Sequence, residues 1–312
     1  MIRKHPLIWF FVITFAITWS VALTAWLLHV LNVFQLPAPS PGEGHLQGLS
    51  RTPGPTEDVD VNVGIGGYAL LILGVWAPTL TSIGLSWHLG GWDQLKRLLR
   101  RLLRWRAGWI WWLLAIFGPL VVQILAMVMV KPFETVDLGR WGPDSVTAFF
   151  VFLGAGMADG PLGEELGWRG FALPRMIRHM SGRVAAVVLG VIWAAWHLPA
   201  FFVPGVERIA LPPGFGYEPF FLLLVSACVL ISWVYLSGRQ VLPLAIVMHF
   251  TMNFALLTVG RDPQPTLIWA MTAAAGLSAV LVLIFTPDLG RQRALESDPD
   301  LGRTLDEREN SS

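Results

Sequence analysis

The chain has 312 residues, 54% of them hydrophobic and 14% charged, with a mean hydropathy of +0.58 and a formal net charge of +1. A soluble domain carries about 25% charged residues and lacks repeated runs of roughly twenty apolar positions, so the composition excludes a soluble globular enzyme and indicates a polytopic membrane protein. The near-zero charge gives no basic footprint for nucleic acid, and the single Cys228, inside an apolar run, excludes an intrachain disulfide.

The first element follows Arg3-Lys4, an apolar run from Leu7 to about Leu31 that is too long for a signal-peptide core and reads as a retained helix. Residues 35–63 are rich in Pro, Gly, Ser and acids, without apolar periodicity, and read as an extracytoplasmic loop. A second span covers about Gly64 to Leu89. The most basic stretch of the protein follows, from Trp92 to Arg106, with Leu95, Leu98, Leu99, Leu102 and Leu103 on one helical face and cations on the others. That pattern describes an amphipathic helix lying on an anionic leaflet.

Lys and Arg concentrate on cytoplasmic loops, so this stretch and Arg3-Lys4 belong inside. Further spans are expected at about Trp109 to Val130, Ser145 to Met157, Val184 to Val203, Tyr217 to Leu236, Val241 to Val259 and Thr266 to Phe285. Arg169, Arg175, Arg178 and Arg183 continue the inner positive signal, and Ser237-Gly238-Arg239-Gln240 reads as a tight inner turn. The expectation is an all-α transmembrane bundle of about eight helices with a cytoplasmic amphipathic basic helix. It forms one membrane domain, residues 1–286, with a polar tail, 287–312, and both termini in the cytoplasm.

Three polar clusters interrupt the apolar runs. The first is Gly163-Glu164-Glu165-Leu166-Gly167-Trp168-Arg169. On a helix Glu165 and Arg169 stand at i and i+4 and can pair, whereas Glu164 points about 100° away and is free to face a cavity as a general base. Intramembrane carboxylates are costly and read as functional, with a partner to be named. The second cluster is Trp193-Ala194-Ala195-Trp196-His197, in which Trp193 lies one turn from His197 and gives the imidazole an aromatic floor. The third is His249-Phe250-Thr251-Met252-Asn253, whose first and last residues also stand at i and i+4 and can reach one point, as metal ligands or as oxyanion donors. Each cluster taken alone also fits interhelical hydrogen bonding. His29, His88 and Asn32 sit near helix ends in structural positions, Asp159 precedes the Glu pair as a cap or tuning charge, and His5, His45 and His179 are expected to be exposed. The sequence has no Gly-Lys-Ser/Thr phosphate loop, no His-Glu-x-x-His and no Gly-x-Ser-x-Gly, so nucleotide hydrolysis, soluble zincin chemistry and serine hydrolysis lack their signals.

Glu-Glu-x-x-x-Arg, an aromatic-x-x-x-His and His-x-x-x-Asn, in that order on successive membrane helices, resemble the CPBP family of intramembrane proteases, which contains the type II CAAX prenyl endopeptidases and bacterial Abi-type proteins. The resemblance covers roughly Ser145 to Val259. It implies that Glu164 activates a water with help from His197, that His249 and Asn253 bind the oxyanion of the scissile carbonyl, and that Glu165 with Arg169 holds the site together. One departure is Trp193, where the family commonly has Phe; the larger ring is expected to narrow the pocket. The resemblance leaves two cofactor states open: no cofactor, or a divalent metal such as zinc on Glu164, His197 and His249. The expected function is an intramembrane endopeptidase of a bacterial inner membrane, acting on a peptide or protein at the membrane among lipids, without nucleic acid. The alternative is a non-enzymatic immunity or scaffold protein, or a small transporter, using the same polar cavity.

Overall fold

The computed structural model describes residues 1–31, 70, 72–131, 146–202, 215–257 and 264–297. The expected loops at 35–63 and 131–144 and most of the Pro/Gly-rich loop from Pro204 to Gly216 lie outside these residues, as does the tail beyond 297. The described chain is helical, without strands. Its helices are α1 (Pro6–Val30), α2 (Ala77–Arg100), α3 (Trp109–Val130), α4 (Val146–Ala158), α5 (Pro161–Gly167), α6 (Leu173–Met176), α7 (Gly182–Trp196), α8 (Pro199–Phe202), α9 (Tyr217–Ser237), α10 (Leu242–Leu257), α11 (Pro265–Phe285) and α12 (Arg291–Ser297).

Among the described residues five stretches are long and apolar enough to cross a membrane: Pro6–Leu28, Trp109–Val130, Gly182–Phe202, Tyr217–Ser237 and Pro265–Phe285. The expected count of about eight divides differently. Within the described residues helix α4 spans 13 residues and α10 spans 16. From Ala77 the expected second span and the basic stretch as far as Arg100 form one element, α2, bent at Gly90 and Gly91, where Gly91 takes φ 59°. Only glycine adopts that conformation without strain, which is why the bend falls there.

Helix α9 is the central post, packed against α7, α10 and α11, while α3 closes the outside of α10 and α11. Of its membrane stretch 67% is buried, against 17% for α1 at the periphery. The exposed face of α3, with Ile110, Phe117, Val121, Ile124 and Val128, is the apolar surface that a lipid-facing helix presents. The leucine face of the basic helix is largely covered by protein: Leu95 and Leu98 are buried, Leu99 and Leu102 pack on the core, and Leu103 is exposed. Its burial partner is therefore chiefly the bundle, not the leaflet.

The basic turns gather at one end. Arg101 donates to Gln240 Oε1 at 3.3 Å, Arg183 to the Ile284 carbonyl at 3.1 Å and Arg291 Nε to the Ile177 carbonyl at 2.6 Å. The start of the tail is docked: α12 buries Ala294, whose carbonyl accepts Gln240 Nε2 at 2.6 Å, and Leu289 beside it is fully buried.

Helix α5, which carries the two glutamates, is pressed onto the start of α2. A side chain on Gly167 would meet the Pro78 backbone at 2.6 Å, and one on Gly163 would meet the Trp76 ring at 3.0 Å. The small-residue repeat Gly163-x-x-x-Gly167 thus allows backbone contact between two helices. Trp76 Nε1 donates to the Ala158 carbonyl at 2.9 Å and Thr79 to the Leu162 carbonyl at 3.1 Å, fixing both ends of the turn that enters α5.

Candidate active site

The site is assembled from α5, the π-helical turn Trp168–Ala172 that continues it, α7 and α10. The chain enters α5 through Gly160, with φ 120° and ψ −79°, a conformation closed to ordinary side chains. The missing side chain marks the focus of the site. A Cβ at Gly160 would lie 3.3 Å from Asn253 Nδ2, 3.4 Å from Glu164 Oε1 and 3.5 Å from His249 Nε2. Three polar atoms from two helices therefore face one small space that glycine leaves open.

The adjacent glutamates have unlike surroundings. Glu165 is fully buried and accepts Arg169 Nη1 at 2.7 Å and His249 Nδ1 at 2.8 Å on the same oxygen, Oε1. Arg169 is equally buried, and its Nη2 lies 3.2 Å from Cys228 Sγ. Glu164 has no cation in direct contact. Its Oε2 accepts two indole N–H groups, Trp193 at 2.5 Å and Trp168 at 3.1 Å. One guanidinium cannot balance two buried carboxylates, and burying an unpaired charge is costly. The remaining group able to supply positive charge at this point is His249, wedged between Glu165 and the open space.

The His249 hydrogen bond settles the orientation of its ring. With Nδ1–H donated to Glu165, Nε2 is the nitrogen turned to the space beside Gly160. His197, half-buried at the end of α7, sits differently. Its Nδ1 lies 2.8 Å from the Trp193 carbonyl, an acceptor only, so Nδ1 carries the proton and Nε2 is an acceptor in the neutral ring. No hydrogen bond joins His197 to Glu164 among the described residues. The two imidazoles stand on the Trp193 indole instead, His197 at 5.6 Å and His249 at 5.3 Å between ring centroids. The fifth span is interrupted here: α7 stops at Trp196 and the chain resumes helix at Pro199, where proline lacks the N–H that an unbroken helix requires.

The metal alternative can be tested on these positions. Among the described residues no three His, Cys, Asp or Glu side chains stand close enough to hold an ion, so Glu164, His197 and His249 do not form a ligand set. His197 and His249 each engage Nδ1 with an oxygen and leave Nε2 free, as single metal-ligating histidines do, but with Glu164 they do not converge on one point. No step below is routed through a metal.

Residues 145–255, which contain every side chain of this constellation, match the family described as type II CAAX prenyl endopeptidase Rce1-like. A curated relative, CAAX prenyl protease 2 of Methanococcus maripaludis, is 33% identical over 106 residues, covering 32% of this chain and 39% of that protein. The matched segment is similar to the CPBP-type proteases that the three sequence motifs resemble. The match thus spans about two fifths of the relative's length, and helices α1 to α3 and α11 of the present chain lie outside the matched family segment. With its apolar helices, the matched core is part of a multi-pass membrane protein.

Two features of this core escaped the sequence reading. Trp193 is expected as an aromatic floor for His197 and as a ring that narrows the pocket, and in addition its N–H points at Glu164. Trp168, at i+4 from Glu164 within the first motif, does the same; that spacing was the available signal. Gly160 carried no signal beyond preceding a proline.

Proposed function

We propose that the chain is an intramembrane endopeptidase in which Glu164 Oε1 activates a water held beside Gly160. The observation that carries this reading is the convergence of Glu164 Oε1, His249 Nε2 and Asn253 Nδ2 on the space that a Gly160 side chain would fill. A carboxylate oxygen next to two nitrogens able to donate is what peptide hydrolysis asks for: a base for the water and donors for the oxyanion. Glu164 takes a proton as the water oxygen bonds to the scissile carbonyl carbon. His249, held through Nδ1 by Glu165, and Asn253 then donate to the tetrahedral oxyanion. When the C–N bond breaks, Glu164 returns the proton to the leaving amine. His197, with Nε2 as acceptor, assists the water from across Trp193, and the Glu165–Arg169 pair holds His249 in register.

The substrate is a peptide or protein presented at the membrane, a reading supported by the similarity to a protein named as a prenyl protease. The positive-inside rule supports assigning the end where the basic turns around Arg101, Arg183, Arg239 and Arg291 gather, and with it both termini, to the cytoplasmic side of an inner membrane.

The test is cleavage of a library of membrane-anchored peptides in vesicles by the purified chain, read by mass spectrometry. Wild type cleaves, and Glu164→Gln and His249→Ala do not. Undiminished cleavage by both variants would sink the reading. A ligand-binding protein that uses the cavity without chemistry would keep its function in Glu164→Gln.

A further inference from the structure

A free carboxylate has two equivalent oxygens, but those of Glu164 are not equivalent. Oε2 receives both indole N–H groups, at 2.5 Å from Trp193 and 3.1 Å from Trp168, while Oε1 is the oxygen that faces the space beside Gly160. We propose that Trp193, seconded by Trp168, is a positioning residue that clamps Glu164 by one oxygen and so assigns the other as the base; this inference rests on the endopeptidase reading above.

The chemistry of indole suits the task. Its N–H is a donor only, does not titrate near neutral pH and carries no charge. It therefore orients a carboxylate without taking the proton the carboxylate must accept and without the tight ion pair that Arg or Lys would impose. Both rings are rigidly seated. Trp193 is 1% exposed, lies under the Arg169 guanidinium at 5.2 Å and has both site histidines against it. Trp168 is fully buried, edge-on to Phe10 at 5.4 Å and to Trp196 at 5.8 Å. The two donors come from different segments, the π-helical turn after α5 and the last turn of α7, so the clamp ties the glutamate's own segment to the helix that brings His197. Phe at either place keeps an aromatic ring and loses the hydrogen bond.

The experiment uses the full chain in lipid nanodiscs, with indole nitrogens labelled with 15N, and the library peptide that the wild type cleaves best. Trp193→Phe is expected to lower kcat by about 10-fold to 100-fold with KM within about twofold, because the clamp orients the base and does not touch the peptide. Trp168→Phe gives a smaller loss of the same kind, and the double variant falls short of the product because both donors serve one oxygen. Two indole N–H resonances are displaced downfield, one lost in each variant, and both move in Glu164→Ala; unmoved signals from the other tryptophans report an intact fold. The proposal is overturned if Trp193→Phe keeps kcat within twofold while Glu164→Gln is inactive, or if neither displaced resonance responds to Glu164→Ala. A wild type no faster than Glu164→Gln sinks the endopeptidase reading and this role with it.

Discussion

Helix α10 has two working faces, and they could hardly differ more. One carries His249 and Asn253 towards Gly160, where the polar atoms meet partners or a shared space. The other carries Met248 and Met252 into a cavity of roughly 190 Å³ walled by α3, α9 and α11, with Leu114, Leu223 and Met271 among its lining. That cavity holds two buried N–H donors, Gln123 Nε2 and Trp233 Nε1, with no hydrogen-bond partner. An unmet buried donor costs about 1–3 kcal/mol, whereas the donors around Glu164 are spent on a carboxylate. The comparison teaches that burial alone does not make a site. What distinguishes the Gly160 side is that its donors and its acceptor face one another.

The sharpest break of that contrast is Glu164→Gln, which keeps the shape of the polar face and removes its base. Peptide cleavage should fall by about 10²–10⁴-fold, measured as initial rate on vesicle-anchored peptide, with the fold retained. Next comes Arg169→Met, which leaves Glu165 buried without its cation. Unfolding followed by intrinsic fluorescence in detergent should show a loss of about 3–5 kcal/mol, and an unchanged protein would mean that Glu165 finds its compensation elsewhere. Asn253→Ala removes one donor from the focus and should lower kcat by about 10²–10³-fold, with binding little altered. Gly160→Ala places a methyl group where the three polar atoms converge and forces a side chain into a left-handed backbone; a strain of about 1–3 kcal/mol should appear as a lower Tm together with lost cleavage. The smallest effect belongs to the apolar face. Gln123→Leu removes an unmet amide and should leave cleavage unchanged while raising stability by about 1 kcal/mol, read from the same unfolding curves.

What could be read in the sequence was local. Glu165 with Arg169, and His249 with Asn253, stand four residues apart, and helical geometry relates such pairs whatever the tertiary fold. The break between Leu89 and Trp92 was visible as a change from apolar to basic composition, but not that one bent helix would run through it, since that depends on the torsions of Gly90 and Gly91. The stretch from Ser145 looked like a crossing because it is apolar, and its described helix spans 13 residues. The choice of Trp193 and Trp168 as partners of Glu164, and of His197 as a neighbour of an indole, depends on how α5 and α7 face one another. Periodicity within one helix carries no such information. Nor did the polar tail announce its docked start, where burial rests on little more than Leu289 and Ala294.

The close seat of Gly167 on the Pro78 backbone has a mechanical consequence. With no side chain between them, the glutamate-bearing helix and the upper half of α2 have no cushion to compress and cannot slide past one another without a clash. They form a single lever. In the endopeptidase reading, a peptide that needs more room at Gly160 gains it by displacing α4 or α10, or by moving this lever as a whole.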